Sequence, residues 1–236
     1  MVLASFEPGV LPEREQAQVA WWDRHSETCV SRTCEFRPCG KAVGGLAVRD
    51  GRVSEVAIFL VTGIQAAGKS TVAQLLAEQL EKSVHVRGDL FRRMVVNGRV
   101  EMGPSDPPAE AVRQLRLRYA LAAQVADGYA DAGFNVVLQD IVLGAYLTDM
   151  VTAIRTRPCY VVVLAPSAAV VQERDEARRA ARGKVAHRPG DEGVAELDAY
   201  LRRETPRIGL WLDTSELTVE QTVEEILARA PGEAAV

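Results

Sequence analysis

From residue 55 onward, short apolar runs alternate with longer stretches in which apolar residues recur at helical spacing. Short runs bounded by turn residues read as buried strands, and a period near 3.6 reads as helix. The pattern predicts strands at about 55–62, 84–87, 135–140, 159–165 and 208–212. Between them it predicts helices at about 69–81, 89–97, 107–132, 145–155, 167–182, 193–204 and 218–229. Gly133 closes the long helix as a C′ glycine, and Pro158 ends the turn before the next strand. Strands alternating with helices build parallel units. The expected fold class is therefore α/β, a doubly wound five-stranded parallel sheet.

Residues 1–54 break this rhythm. They hold Trp21-Trp22, three cysteines and glycines at 40, 44, 45 and 51. A short helix over 12–28 and a hairpin turning at Asp50-Gly51 are the elements the segment allows. We treat 1–54 as an N-terminal extension and 55–236 as the domain that carries the chemistry.

Composition narrows the function classes. The 236 residues are 47% hydrophobic and 25% charged, the balance of a globular protein with a sizeable core. The apolar runs at 56–61, 136–138 and 160–165 are too short to span a bilayer. Acidic residues at 7, 13 and 15, with no apolar leader, predict a cytoplasmic protein. The formal net charge of −4 lacks the basic surplus of a nucleic-acid binder. Cys29, Cys34 and Cys39, with His25, lack the paired Cys-x-x-Cys spacing of a zinc site, and with Cys159 they imply no disulfide framework. The only lysines are Lys41, Lys69, Lys82 and Lys184, so a lysine inside a Gly-rich loop stands out.

That lysine sits in Gly63-Ile64-Gln65-Ala66-Ala67-Gly68-Lys69-Ser70, an ungapped G-x-x-x-x-G-K-[ST] phosphate-loop pattern. A predicted strand precedes it and a predicted helix follows, the order the motif requires. Gly63 and Gly68 let the backbone around Gln65, Ala66 and Ala67 curl into an anion nest at the helix start. Lys69 then reaches the β- and γ-phosphates of ATP, the Ser70 hydroxyl ligates magnesium, and Thr71 assists at the first helical turn. No Asp-x-x-Gly or Asn-Lys-x-Asp segment of a GTPase switch is present.

Further candidates stand at predicted strand ends. Asp89 follows the second strand, where ligands bind in open α/β sheets, and can accept a hydroxyl proton as a catalytic base. Arg92 is placed to clamp substrate. Asp140 ends the third strand, as a carboxylate beside magnesium or substrate. Arg174, Arg178 and Arg182 share one face of the helix after the fourth strand, ahead of a Gly-Pro-containing segment that suits a lid over the phosphates. Thr214, after the fifth strand, is placed to line the base pocket.

Taken together, Gly63–Thr71, Gly88-Asp89-Leu90, the run 137–144, Glu173–Arg182 and Leu212-Asp213-Thr214-Ser215 resemble the chloramphenicol phosphotransferase-like P-loop kinases. The resemblance implies a nucleoside-monophosphate-kinase-like P-loop NTPase fold, ATP with Mg2+, Asp89 as base, a lid near 174–188 with Arg178 catalytic, and a hydroxylated small molecule such as an antibiotic as acceptor. Substrate loops fall at about 97–108 and 144–150. Two alternatives remain open. Asp89-x-x-Arg92 also resembles 5′-hydroxyl polynucleotide kinases, and a regulatory ATPase would use residues 1–54 to reach a protein partner.

Overall fold

The computed structural model describes residues 56–102, 107–181 and 193–236. The elements and cysteines expected in 1–54 and the lid segment 183–192 lie outside the described residues.

The sheet contains β1 (Ile58–Thr62), β2 (Ser83–Arg87), β3 (Asn135–Gln139), β4 (Cys159–Leu164) and β5 (Leu210–Leu212). Their order is β2-β3-β1-β4-β5, and every named pair is parallel. Every residue of β1, β3 and β4 is buried, which is why these strands read as near-continuous apolar runs, with polar residues only at the ends of β1 and β3. The edge strands β2 and β5 carry partly exposed positions such as His85 and Trp211.

Seven helices complete the described residues: α1 (Lys69–Gln79), α2 (Gly88–Arg93), α3 (Ala109–Asp131), α4 (Tyr146–Ala153), α5 (Ala168–Ala181), α6 (Val194–Glu204) and α7 (Val219–Glu233). One group packs α1 on β2 and β3 and against α7; the other packs α3 on the same strands and against α2 and α4. Gly133, at φ 80°, takes the left-handed conformation expected just past α3. The N-terminus of α7 is a capping box, with Thr218 accepting from the Gln221 backbone.

One boundary differs from expectation. α7 runs through Pro231 to Glu233 instead of ending near 229. Tertiary pairing explains the extension: Val161 N donates to Ala234 O at 2.9 Å and Val236 N donates to Cys159 O at 3.1 Å. These long-range bonds outweigh a local helix breaker in the last turn.

Asp127, buried on α3, ties that helix to the loop before β4. Its carboxylate accepts from Arg155 N at 3.1 Å, Thr156 N at 2.9 Å and Thr156 Oγ1 at 2.8 Å. Burial pushes this carboxyl up, but the Thr156 and Arg155 hydrogen bonds outweigh it and hold the pKa below the usual 3.8. Its contribution to stability is therefore complete above that value and is lost as pH falls through the depressed one. Asp127→Ala is expected to cost about 1–3 kcal/mol, since buried donors lose their acceptor. Thermal melts at neutral pH and near pH 3 check this, and the penalty should shrink in acid.

Candidate active site

The phosphate loop follows from the position of β1 in the sheet. Strand β1 is fully buried between β3 and β4, and the chain must turn sharply from its end into α1. Gly63 at φ 143° and Gly68 at φ 91° make the turn, and a side chain at Gly63 would run into the Leu164 carbonyl of the adjacent strand. Ala66, at φ 59°, carries strain of the kind that collects at ligand-binding loops. Ala67 N donates to Ile64 O at 3.3 Å, closing the loop on itself. Gly68 is the N-cap of α1 and brings no side chain to the helix end, so the leading N–H groups face the loop's mouth. Lys69 is buried and folds back over the loop, its Nζ donating to Ile64 O at 2.6 Å.

Ser70, in the first turn of α1, donates its hydroxyl proton to Gln139 Oε1 at 2.8 Å. With its proton committed there, Ser70 Oγ keeps lone pairs for a hard cation. Magnesium takes a few protein oxygens and completes its octahedron with waters and phosphates, so this donor set fits it.

The acidic neighbour does something else. Asp140 is almost completely buried, and both its oxygens engage the Arg118 guanidinium of α3, Oδ2 accepting from Nε at 2.7 Å. Oδ1 also accepts from Ile141 N at 2.7 Å. The side chain hydrogen-bonded to Ser70 is thus Gln139 rather than Asp140. Successive residues at a strand end face opposite sides of the sheet, so one-residue register decides which group meets the loop.

Asp140 and Arg118 lie beside the start of α2. A Cβ at Gly88 would overlap the Asp140 carboxylate, so only glycine lets the end of β2 come this close. Asp89 follows, paired with Arg93 at 2.6 Å. A carboxylate offers several lone-pair directions, and one arginine does not use them all. Arg92 is bound through Nη1 to both oxygens of Glu101 at 2.7 Å, and Arg99 meets the same carboxylate at 3.0 Å. Burial lowers the Arg118 pKa, Tyr119 opposes that, Arg92 adds to it, and Asp89 and Glu101 counter it. These charges therefore share one electrostatic neighbourhood.

Arg118→Met is expected to destabilise the fold by about 3–5 kcal/mol, because it strands a buried carboxylate. The Arg118→Met, Asp140→Leu double variant should recover most of that. Chemical denaturation of all three proteins measures it, and a single variant as stable as wild type sinks the expectation.

Across the loop, Arg174 of α5 reaches within 4.0 Å of a Cβ placed at Gly68 and donates to Thr214 O at 3.2 Å. Gly68, Arg174 and Thr214 are thereby brought together. Thr214 Oγ1 is buried and makes no hydrogen bond to the protein. Ser215 is locked by its own turn, accepting from Ser167 N at 2.8 Å and donating to Asp213 at 2.6 Å. Arg178 lies on α5, its side chain outside the described residues.

Sequence reasoning did not single out Arg118 as a site residue. It is one of three arginines, with Arg113 and Arg116, in a 23-residue helix, and only its tertiary placement sets it apart. Gln139 carried a readable signal, since it ends the strand adjacent to β1.

Among solved structures, a sugar kinase from Janibacter sp. HTCC2649 matches at TM-score 0.55 and 19% identity, over 73% of this chain and 93% of that one. The tunicamycin resistance protein of Deinococcus radiodurans matches at TM-score 0.52 and 18% identity, over 77% and 99%. At such identities the likeness concerns the fold, a five-stranded parallel P-loop kinase architecture. No curated protein matches the chain. A family model described as an AAA domain matches residues 58–222, which take in the phosphate loop and all five strands. By that match the chain belongs to the AAA_33 family of AAA domains.

Proposed function

We propose that residues 55–236 form an ATP-dependent phosphotransferase of the chloramphenicol phosphotransferase-like kind, moving the γ-phosphoryl group onto a hydroxyl of a small molecule. The observation that carries the reading is the juxtaposition of a complete phosphate loop with Asp89, Arg92 and the Arg118–Asp140 pair at neighbouring strand ends. An antibiotic or related metabolite is the acceptor class this reading favours, in the cytoplasm, with residues 1–54 as an accessory extension. Among the described residues no helix is long and apolar enough to cross a membrane.

In this reading the loop amides and Lys69 hold the β- and γ-phosphates. Arg174 and Thr214 border the nucleotide on the far side, and Arg178 approaches from the lid. Ser70 would hold magnesium, which would supply charge neutralisation at the phosphate oxygens. Asp89 accepts the proton of the acceptor hydroxyl while that oxygen bonds to the γ-phosphorus and the bond to the leaving ADP oxygen breaks. Arg92 orients the acceptor, and Asp140 shapes its floor through Arg118. Positioning and charge neutralisation supply most of the acceleration.

The test is ATP consumption with Mg2+ across hydroxylated antibiotics, nucleosides, sugars and a 5′-hydroxyl oligonucleotide. A compound that stimulates turnover and gains one phosphate by mass supports the reading. Stimulation by the oligonucleotide alone moves it to polynucleotide chemistry. Tight ATP binding with no acceptor overturns the small-molecule kinase in favour of a regulatory ATPase.

A further inference from the structure

Strand β2 delivers a cation to the face of the sheet that carries the phosphate-loop helix. Side chains alternate along a strand, so residues two apart share a face. His85 Nδ1 lies 2.9 Å from Gln74 Oε1 of α1, which puts His85, and with it Arg87, on the α1 face. The parallel register pairs Arg87 with Gln139 of β3. Gln139 lies on that face too, since its Oε1 accepts the Ser70 hydroxyl of α1 at 2.8 Å. Arg87 and Gln139 are therefore cross-strand neighbours, about 5 Å apart at their backbones, with Ser70 over the second of them. Ser70, Thr71, Gln74 and Arg87 line one open cleft of about 460 Å³.

What sets Arg87 apart from the other arginines at these strand ends is that it has no anion. Arg92 and Arg99 are paired with Glu101, Arg93 with Asp89, and Arg118 with Asp140. The Arg87 side chain is exposed and makes no ion pair or hydrogen bond among the described residues, although Glu78 and Glu220 border the same cleft. Glu78 instead accepts from Gln74 Nε2 at 2.9 Å. The group bonded to Ser70 is a neutral amide, so it brings no carboxylate to this side of the loop. A lasting positive charge therefore stands beside the first turn of α1 with its N–H donors uncommitted. A guanidinium matches the oxygens of a phosphate in geometry and stays charged at every working pH.

We infer that Arg87 is a γ-phosphate-binding residue: from β2 it reaches across Gln139 to the terminal phosphate of a nucleotide held by the loop. The site then prefers triphosphates to diphosphates without help from a metal. The inference rests on the nucleotide reading of the phosphate loop. Lys69 comes from the loop itself and Arg174 from α5, whereas Arg87 comes from the acceptor side, two residues before Asp89. One strand end thereby holds both the group to be transferred and the proposed base.

The experiment measures displacement of a fluorescent N-methylanthraniloyl-ADP from the full chain by ADP and by non-hydrolysable β,γ-imido-ATP, in EDTA and again with Mg2+. Wild type is compared with Arg87→Ala, Arg87→Lys and Arg116→Ala. Arg116 lines a separate cleft with Asp149 and Met150 of α4, and its variant controls for the loss of one positive charge. A charge-assisted contact is worth about 10–100-fold in affinity. In EDTA, wild type is expected to bind the imido-triphosphate at least about 10-fold more tightly than ADP. Arg87→Ala should lower that ratio by about 10-fold with ADP affinity unchanged. Arg87→Lys should keep part of the ratio and Arg116→Ala all of it. A wild-type ratio in an Arg87→Ala protein of normal melting temperature overturns the inference. So does an equal loss for both nucleotides, or the same change in Arg116→Ala. Wild type that binds neither nucleotide overturns the phosphate-loop reading itself, and the inference with it.

Discussion

Lys69→Ala should reduce acceptor-dependent ATP turnover by at least about 10²–10³-fold, the scale of losing one group that stabilises transition-state charge. Lys69 is buried in the loop and holds its ammonium against Ile64 O at 2.6 Å. That carbonyl belongs to the loop itself, so the ammonium already stands inside the phosphate-binding curl. Alanine removes both the charge and this loop-closing bond. Nucleotide binding should weaken much less than turnover, because the backbone amides of 63–68 remain in place. The decisive comparison sets kcat for the best acceptor beside the Kd for ADP. Turnover within about 10-fold of wild type would remove Lys69 from the chemistry.

Asp89→Asn should lower kcat by about 10²–10⁴-fold, the usual contribution of a positioned acid or base. The substitution is nearly isosteric, and the amide oxygen still accepts from Arg93, which now holds Asp89 at 2.6 Å. What the amide cannot do is take the acceptor's proton. KM for ATP should hold, since Asp89 stands at the end of β2 with β3 between it and the phosphate-loop strand. Steady-state kinetics with both substrates varied separate the cases. An Asp89→Asn protein with full activity would not have Asp89 as its base, and a rise in ATP KM alone would move Asp89 to the nucleotide.

The fold was largely legible because buried parallel strands leave a simple trace. β1, β3 and β4 are covered on both faces, so their sequences are near-continuous apolar runs between turn signals. The phosphate loop was equally plain, since its glycines answer to backbone angles no other residue adopts cheaply. The strand-end chemistry was harder to read. Whether Gln139 or Asp140 meets Ser70 depends on which face each takes, a one-residue matter that composition does not carry. Arg118 was hidden for another reason: it is polar at a position whose burial is created by Asp140, 22 residues further along. The extension of α7 through Pro231 likewise depends on pairing with a distant strand.

The strand order also acts as a ruler. Neighbouring strands in a sheet lie about 4.7–4.9 Å apart. Because β3 separates β2 from β1, the strand that delivers Asp89 stands two spacings from the strand that delivers the phosphate loop, roughly 10 Å. In the proposed reading the acceptor hydroxyl would stand over the C-terminal end of β3, between Asp89 on one side and the phosphate loop on the other, so the substrate would bridge two strands instead of resting on either alone.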